Sequence, residues 1–223
     1  MSRRRGFTLV ELNIAVIFVS LLLIATVATS IYIGRIYQKG VTLKNVNQTG
    51  RQLIDQFRRD AIAAPTDKVT VRYVPAAPSP TDNVRICFGT VSYVFNLAKT
   101  LQSPGAGVSV IKYSSSGNPP VIAARVSDNG ALCDAATTTV DPAKATELLP
   151  TDSIPMAVHA VSFTQRTQFD EQAIWELKMT LGTNEKNTID SNTTCKPPQS
   201  NQTNFDLCSV REFTTMIRTR GGT

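Results

Sequence analysis

The uncharged stretch from Leu12 to Gly34 restricts the possible folds of this chain more than any other feature. Its length, about 23 residues, is enough for a helix to cross the hydrocarbon core of a bilayer. A basic leader that ends in glycine, Arg3 to Gly6, stands on its N-terminal side. An ordinary secretory signal is cleaved after its apolar stretch, where small residues such as those around Ala25 and Ala28 offer a site. The sequence therefore predicts either a membrane-spanning helix or a signal peptide.

Glu11 separates these two readings. An acidic side chain near the start of a bilayer-spanning helix is costly and marks a functional site by default, whereas a plain signal peptide has no use for it. In the segment from Arg5 to Leu12, RGFTLVEL, the basic leader, the glycine, the Phe, the Thr-Leu pair and the acid stand in register before the apolar helix. This segment resembles the processing site of the type IV prepilin and pseudopilin family.

The resemblance implies cleavage after Gly6 by a prepilin peptidase, N-methylation of the new terminus at Phe7, and packing of residues 7 onward in the core of a filament. Phe7 would carry a cationic amine into an apolar bundle. Glu11 of a neighbouring subunit would supply the opposite charge that makes this burial tolerable. The chain departs from the family at Asn13, where an apolar residue is usual, and in having no proline before Pro65.

The chain divides into a cleaved leader (1–6), a transmembrane and filament-core helix (7–34), an amphipathic continuation of that helix (35–64) and a β-rich head domain (65–223). Apolar residues at spacings of three and four predict one buried helix face in the third segment, which Pro65 ends. The residues of this stripe are Leu43, Val46, Gly50, Leu53, Phe57 and Ala61.

Short β-strands separated by turns are predicted after Pro65. A tight hairpin is expected at Asp128-Asn129-Gly130, leading into Ala131–Cys133, and a short helix at 142–149. The predicted fold class is α+β, with the long N-terminal helix packed on an antiparallel sheet, as in pilins. The predicted strands are 69–74, 84–88, 91–97, 108–113, 121–126, 156–166, 173–182 and 209–220.

Four cysteines, Cys87, Cys133, Cys195 and Cys208, form an even set without a CxxC pair. This spacing indicates disulfides in an oxidising compartment rather than a metal site or a redox motif. Three pairings are possible. We favour Cys195–Cys208, which closes a short polar loop, together with Cys87–Cys133.

Little in the sequence points to catalysis. Ser109 and Lys112 have the SxxK spacing of some acyl enzymes, but that motif works on a helix and here it lies in a predicted strand. His159 is the single histidine, and no nucleophile motif accompanies it. We expect no enzymatic activity, no cofactor and no metal.

The charge is only mildly basic. The formal net charge is +6, and removal of three leader arginines leaves 20 basic against 17 acidic side chains, a net charge of +3. A basic surface exposed to solvent therefore explains the arginines better than binding of nucleic acid does. The arginines that could contact phosphates are Arg58, Arg59, Arg211, Arg218 and Arg220.

The predicted function is that of a minor pilin, a structural subunit of a type IV pilus or a related filament. The alternatives are a pseudopilin of a type II secretion system and a filament-tip subunit that binds DNA or a surface. The expected partners are prepilin peptidase, other pilin subunits and the inner membrane. The chain would cross that membrane once before assembly and then lie in an extracellular filament.

Overall fold

A computed structural model describes residues 8–74, 82–103, 107–134, 137–149, 154–169, 172–184, 195 and 208–220. A long N-terminal helix packs on antiparallel β-sheets, so the predicted α+β fold class is confirmed.

Helix α1 (Leu9–Ala63) has 55 residues and is about 82 Å long at 1.5 Å per residue. It begins with a capping box in which the Thr8 hydroxyl accepts the N–H of Glu11 and the Glu11 carboxylate accepts the N–H of Thr8. It ends at an extended Ala64, directly before Pro65, because the residue before a proline is disfavoured in the helical conformation.

The strands of the head form three sheets. The strands are β1 (Val69–Val74), β2 (Asn83–Phe88), β3 (Ser92–Asn96), β4 (Lys112–Tyr113), β5 (Ala123–Val126), β6 (Thr139–Val140), β7 (Ala145–Glu147), β8 (Met156–Phe169), β9 (Gln172–Thr183) and β10 (Val210–Arg218). A five-stranded antiparallel sheet has the order β1-β2-β3-β5-β7, and a three-stranded antiparallel sheet has the order β10-β9-β8. Strands β4 and β6 form a short parallel pair, and a short helix, α2 (Ala98–Gln102), follows β3.

The second half of α1 packs on the head through the predicted stripe, with one correction. Leu43 is 44% exposed, and the position at this end of the stripe is taken by Thr42, which is 1% exposed. Thr42 lies four residues before Val46 and therefore on the same helix face. Its hydroxyl donates to the Gln38 carbonyl oxygen at 3.0 Å, so burial leaves no unpaired donor.

Phe57 anchors α1 in an aromatic core between the two large sheets. It is fully buried, and its ring lies 5.0 Å from Phe88, 4.9 Å from Tyr93 and 5.3 Å from Phe163, centroid to centroid, in edge-to-face geometry. Seven residues before Phe57, a Cβ at Gly50 would lie 2.2 Å from the Phe213 ring. Glycine therefore permits α1 to approach β10 closely at this point.

The predicted hairpin after Asp128 does not form. The Asp128 carboxylate accepts the N–H of Gly130 at 3.2 Å and of Leu132 at 2.7 Å, and these bonds wind the chain into a 3-10 turn over Ala131–Cys133. Asn129 and Gly130 both have positive φ, as a tight turn requires, but the next residues, Ala131–Cys133, form the 3-10 turn in place of a second strand.

Two further predictions from the same half of the head were wrong. The region 142–149 contains a 3-10 turn, Pro142–Lys144, followed by strand β7 rather than a helix, because Ala145–Glu147 pairs with the edge of β5. In 108–113 only β4 is a strand. The backbone before it is held by buried polar side chains, since Asp82 accepts the N–H of Ser109 and Asn96 accepts the N–H of Ile111.

Two disulfides close loops of the head. Cys87 in β2 is bonded to Cys133, and Cys195 is bonded to Cys208. These are the two pairs that the sequence favoured. The first joins residues 46 apart, and the second joins residues 13 apart.

Candidate functional site

The first half of α1 is an apolar surface that the head leaves uncovered. Every large apolar side chain from Leu9 to Tyr37 is 51–77% exposed, and burial of α1 begins only at Thr42. By length and composition, this helix could cross a membrane. An apolar surface of this size is not stable in water, so the helix requires lipid or other helices around it.

The serine and threonine hydroxyl groups in this half of α1 are satisfied within the helix itself. Each donates to a carbonyl oxygen one turn back, as suits a segment in lipid. Asn13 differs, because its amide has no hydrogen-bond partner among the described residues. The back-bonded pairs are Ser20 to Val16, Thr26 to Leu23, Thr29 to Ala25 and Ser30 to Thr26.

Glu11 stands at the exposed end of this surface. Its Oε2 atom accepts both the N–H and the hydroxyl of Thr8, each at 3.0 Å. Its Oε1 atom has no partner in the described part of the chain, so one carboxylate oxygen can cap the helix while the other contacts another molecule. Gly6 and Phe7, the predicted cleavage and methylation positions, lie outside the described residues.

At the other end of α1, a partly buried ion pair fixes the helix to the head. Asp60 accepts a hydrogen bond from Arg125 of β5 at 2.6 Å and another from the Tyr93 hydroxyl of β3 at 2.6 Å. Burial works against the charged carboxylate, but the hydrogen bonds from Arg125 and Tyr93 and the guanidinium charge outweigh it, so the pKa of Asp60 lies below its ordinary value. Burial, with the Asp60 contact, raises the pKa of Tyr93.

The ion pair between Asp60 and Arg125 should make the free energy of unfolding depend on pH. Because its folded-state pKa is depressed, Asp60 contributes stability that is present at neutral pH and is lost as the pH falls below its ordinary value of 3.8. We expect Asp60→Asn to lower the free energy of unfolding by about 1–3 kcal/mol at pH 7. The deficit should shrink at pH 3, measured by urea unfolding of the chain in detergent.

A matched control is Asp67→Asn, which removes an exposed carboxylate that lies 3.3 Å from Lys68. Exposed ion pairs contribute little, so this variant should unfold like the wild-type chain at both pH values. An Asp60→Asn deficit that stays constant from pH 7 to pH 3 would contradict the assignment.

The sequence did not indicate the Asp60, Tyr93 and Arg125 cluster. Tyr93 and Arg125 are 33 and 65 residues away from Asp60 along the chain. Only an acid near the end of the amphipathic segment could have suggested an ion pair there, and no pattern identifies its partner.

The remaining candidates lie apart from one another. His159 is at a bulge in β8, where its Nε2 atom lies 3.1 Å from the Thr183 carbonyl oxygen and burial lowers its pKa. Ser109 and Lys112 are not on a helix. Of the arginines, Arg58 and Arg59 are exposed on α1, and Arg211 and Arg218 are exposed on β10.

No group of three or more His, Cys, Asp or Glu side chains that could hold a metal ion occurs in the part of the chain that the structure describes. No protein-family model, curated protein or solved structure matches this chain.

Proposed function

We propose that this chain is a minor pilin, a structural subunit that is processed after Gly6, methylated at Phe7 and assembled into a type IV pilus or a related filament through α1. Before assembly, the first half of α1 holds the subunit in the inner membrane. After assembly, the same surface packs against the helices of neighbouring subunits in an extracellular filament. The head performs no chemistry.

The division of α1 into an exposed apolar half and a docked half is the observation that carries this proposal. The head buries Val46, Leu53 and Phe57 completely or nearly so, yet every apolar residue from Leu9 to Tyr37 stays exposed. A membrane anchor alone accounts for the apolar surface. It does not account for a carboxylate at its start, because an acid there is costly in lipid without a partner.

The geometry of Glu11 supports a partner outside its own chain. The Oε1 atom that the Thr8 cap leaves unused is available to the cationic amine that cleavage would create at Phe7 of an adjacent subunit. Pairing the two charges removes the cost of burying either one in an apolar bundle. This contact gives Glu11 a role in assembly that is separate from helix capping.

The first test is intact mass and N-terminal sequencing of the chain recovered from sheared surface filaments and, separately, from membranes. We expect a filament fraction that begins at methylated Phe7. An unprocessed chain, or one cut near Ala28 and released into the medium, would refute the proposal. Recovery only with a secretion apparatus would indicate a pseudopilin of a type II secretion system instead.

Two variants separate the charge of Glu11 from its capping role. Glu11→Gln keeps oxygen and nitrogen atoms near the Thr8 backbone but removes the negative charge, and we expect it to be processed yet nearly absent from filaments. Thr8→Val removes the capping hydroxyl and keeps the charge, which costs about 1 kcal/mol of helix stability, so we expect it to enter filaments. Equal incorporation of Glu11→Gln and the wild-type chain would exclude a counter-charge role.

A further inference from the structure

The docked half of α1 carries a basic stripe on the side that faces away from the head. The stripe consists of Lys44, Arg51 and Arg58, spaced seven residues apart, so successive charges are two helical turns or about 10 Å from each other. All three side chains are exposed, and none forms an ion pair within the described residues. Asp55, the acid between Arg51 and Arg58, is exposed and has no ion pair there either.

In water this arrangement costs little, because charges about 10 Å apart are screened at physiological ionic strength. Packing another molecule against the stripe changes this, since uncompensated charges in an interface are strongly unfavourable. Whatever covers this side of α1 in an assembly must therefore present negative charge.

The position of the stripe argues against a membrane as the partner. Measured along the helix, Lys44 is about 15 Å and Arg58 about 36 Å beyond Gly34, the end of the apolar stretch. The attraction of anionic headgroups falls off within about 10 Å, so a bilayer crossed by the first half of α1 cannot neutralise all three cations.

The charge pattern argues against nucleic acid and against a second copy. Nucleic-acid binding depends on many phosphate contacts with a strongly basic surface, whereas the chain without its three leader arginines has a net charge of only +3. A second copy would have to offer a row of acids at matching intervals, but the exposed acids of the head in the described part of the chain lie on separate segments. These acids are Asp67, Asp134, Asp141 and Glu212.

A cleft of about 390 Å³ runs beside the stripe, between α1 and β7. Gln52, Gln56 and Arg59 line it from the helix, and Glu147 lines it from the sheet. The Arg59 guanidinium donates to the Gln56 side-chain oxygen at 2.8 Å and forms no described ion pair. The cleft thus adds a fourth cation and space for a side chain of the partner.

We infer that the basic stripe docks a different filament subunit, one whose parallel helix presents carboxylates about 10 Å apart. This inference rests on the proposed function and specifies its partner: the chain is recruited by an acidic subunit rather than by its own copies. The charges of the stripe then determine which subunit binds this side of α1. The apolar first half of α1 contributes affinity for neighbouring helices but no specificity.

The test is a triple charge reversal, Lys44→Glu, Arg51→Glu and Arg58→Glu, in cells that assemble the filament. The control reverses three exposed lysines on the head, Lys99, Lys112 and Lys144, so the change in net charge is the same. We expect the stripe variant to be processed at Phe7 but to be reduced about tenfold or more in sheared filaments relative to membranes. The control should match the wild-type chain.

A photo-crosslinking residue at Gln48, which is exposed between Lys44 and Arg51, identifies what covers the stripe. We expect an adduct with another subunit that is lost in the stripe variant. Normal incorporation of the stripe variant overturns the inference, as does an adduct formed only with a second copy, nucleic acid or lipid, or no adduct. Each of these outcomes overturns only the docking of the stripe, and the proposed function stands as long as the mature wild-type chain begins at Phe7. An unprocessed wild-type chain would refute the proposed function itself.

Discussion

Replacing Phe57 with alanine should lower the free energy of unfolding by about 3–5 kcal/mol. The ring is fully buried and has edge contacts to Phe88, Tyr93 and Phe163. Its removal leaves a cavity where α1 meets both large sheets, and rigid aromatic neighbours cannot collapse fully into it. Because domains are stable by only about 5–15 kcal/mol, this change should release the docked half of α1.

Trp175 reports this unfolding. It is the single tryptophan of the chain, and it stacks on Phe163 with centroids 4.8 Å apart. Its fluorescence during urea unfolding of the chain in detergent therefore follows the same core. Leu43→Ala on the same helix is the control, because Leu43 is 44% exposed and should cost less than about 1 kcal/mol. Equal losses for the two variants would show that Phe57 does not anchor the helix.

Removing the disulfide between Cys87 and Cys133 by replacing both with alanine should cost about 4 kcal/mol. The bond closes a loop between residues 46 apart, so breaking it restores considerable freedom to the unfolded chain. It also ties β2 to the 3-10 turn that follows Asp128, and Cys87 is 2% exposed within the core. The measurement is the free energy of unfolding of the double variant in urea.

The second disulfide provides the comparison. Cys195 and Cys208 are 13 residues apart, so loop entropy alone predicts that their double alanine variant loses about 1 kcal/mol less. The variant lacking Cys87 and Cys133 should therefore unfold at the lower urea concentration. The reverse order would mean that loop closure does not determine the contribution of these bonds.

Periodicity located the elements that are long and bury one face. The stripe from Val46 to Ala61 repeats at helical spacing, and Trp175, Leu177 and Met179 alternate along β9, so both elements were predicted close to where they lie. Leu43 was the exception, because a threonine whose hydroxyl bonds back to the helix can take a buried position without an unpaired donor.

Predictions failed where polar side chains replace the backbone as hydrogen-bond partners. Asp128 accepts two backbone N–H groups and turns an expected hairpin into a 3-10 turn. Side chains of Asn96 and Asp82 bond the backbone at Ile111 and Ser109, so an apolar run that was predicted as a strand is not a strand at these two residues. The bonds of Asp82 and Asn96 join residues 27 and 15 apart in sequence, which a local pattern does not contain. The bonds of Asp128 are local, and they compete with the backbone pairing of a hairpin.

The sequence by itself determined that this chain has an apolar helix of membrane-spanning length, a carboxylate at its start and an amphipathic continuation. It also determined that the four cysteines suit disulfides. Each of these features depends only on residue types and on their spacing in the chain. Only the tertiary structure decided where burial of α1 begins and that Asp60 of α1 meets Arg125. The physical reason is that burial and charge pairing are set by which distant surfaces come into contact. The periodicity of apolar residues does not specify those contacts.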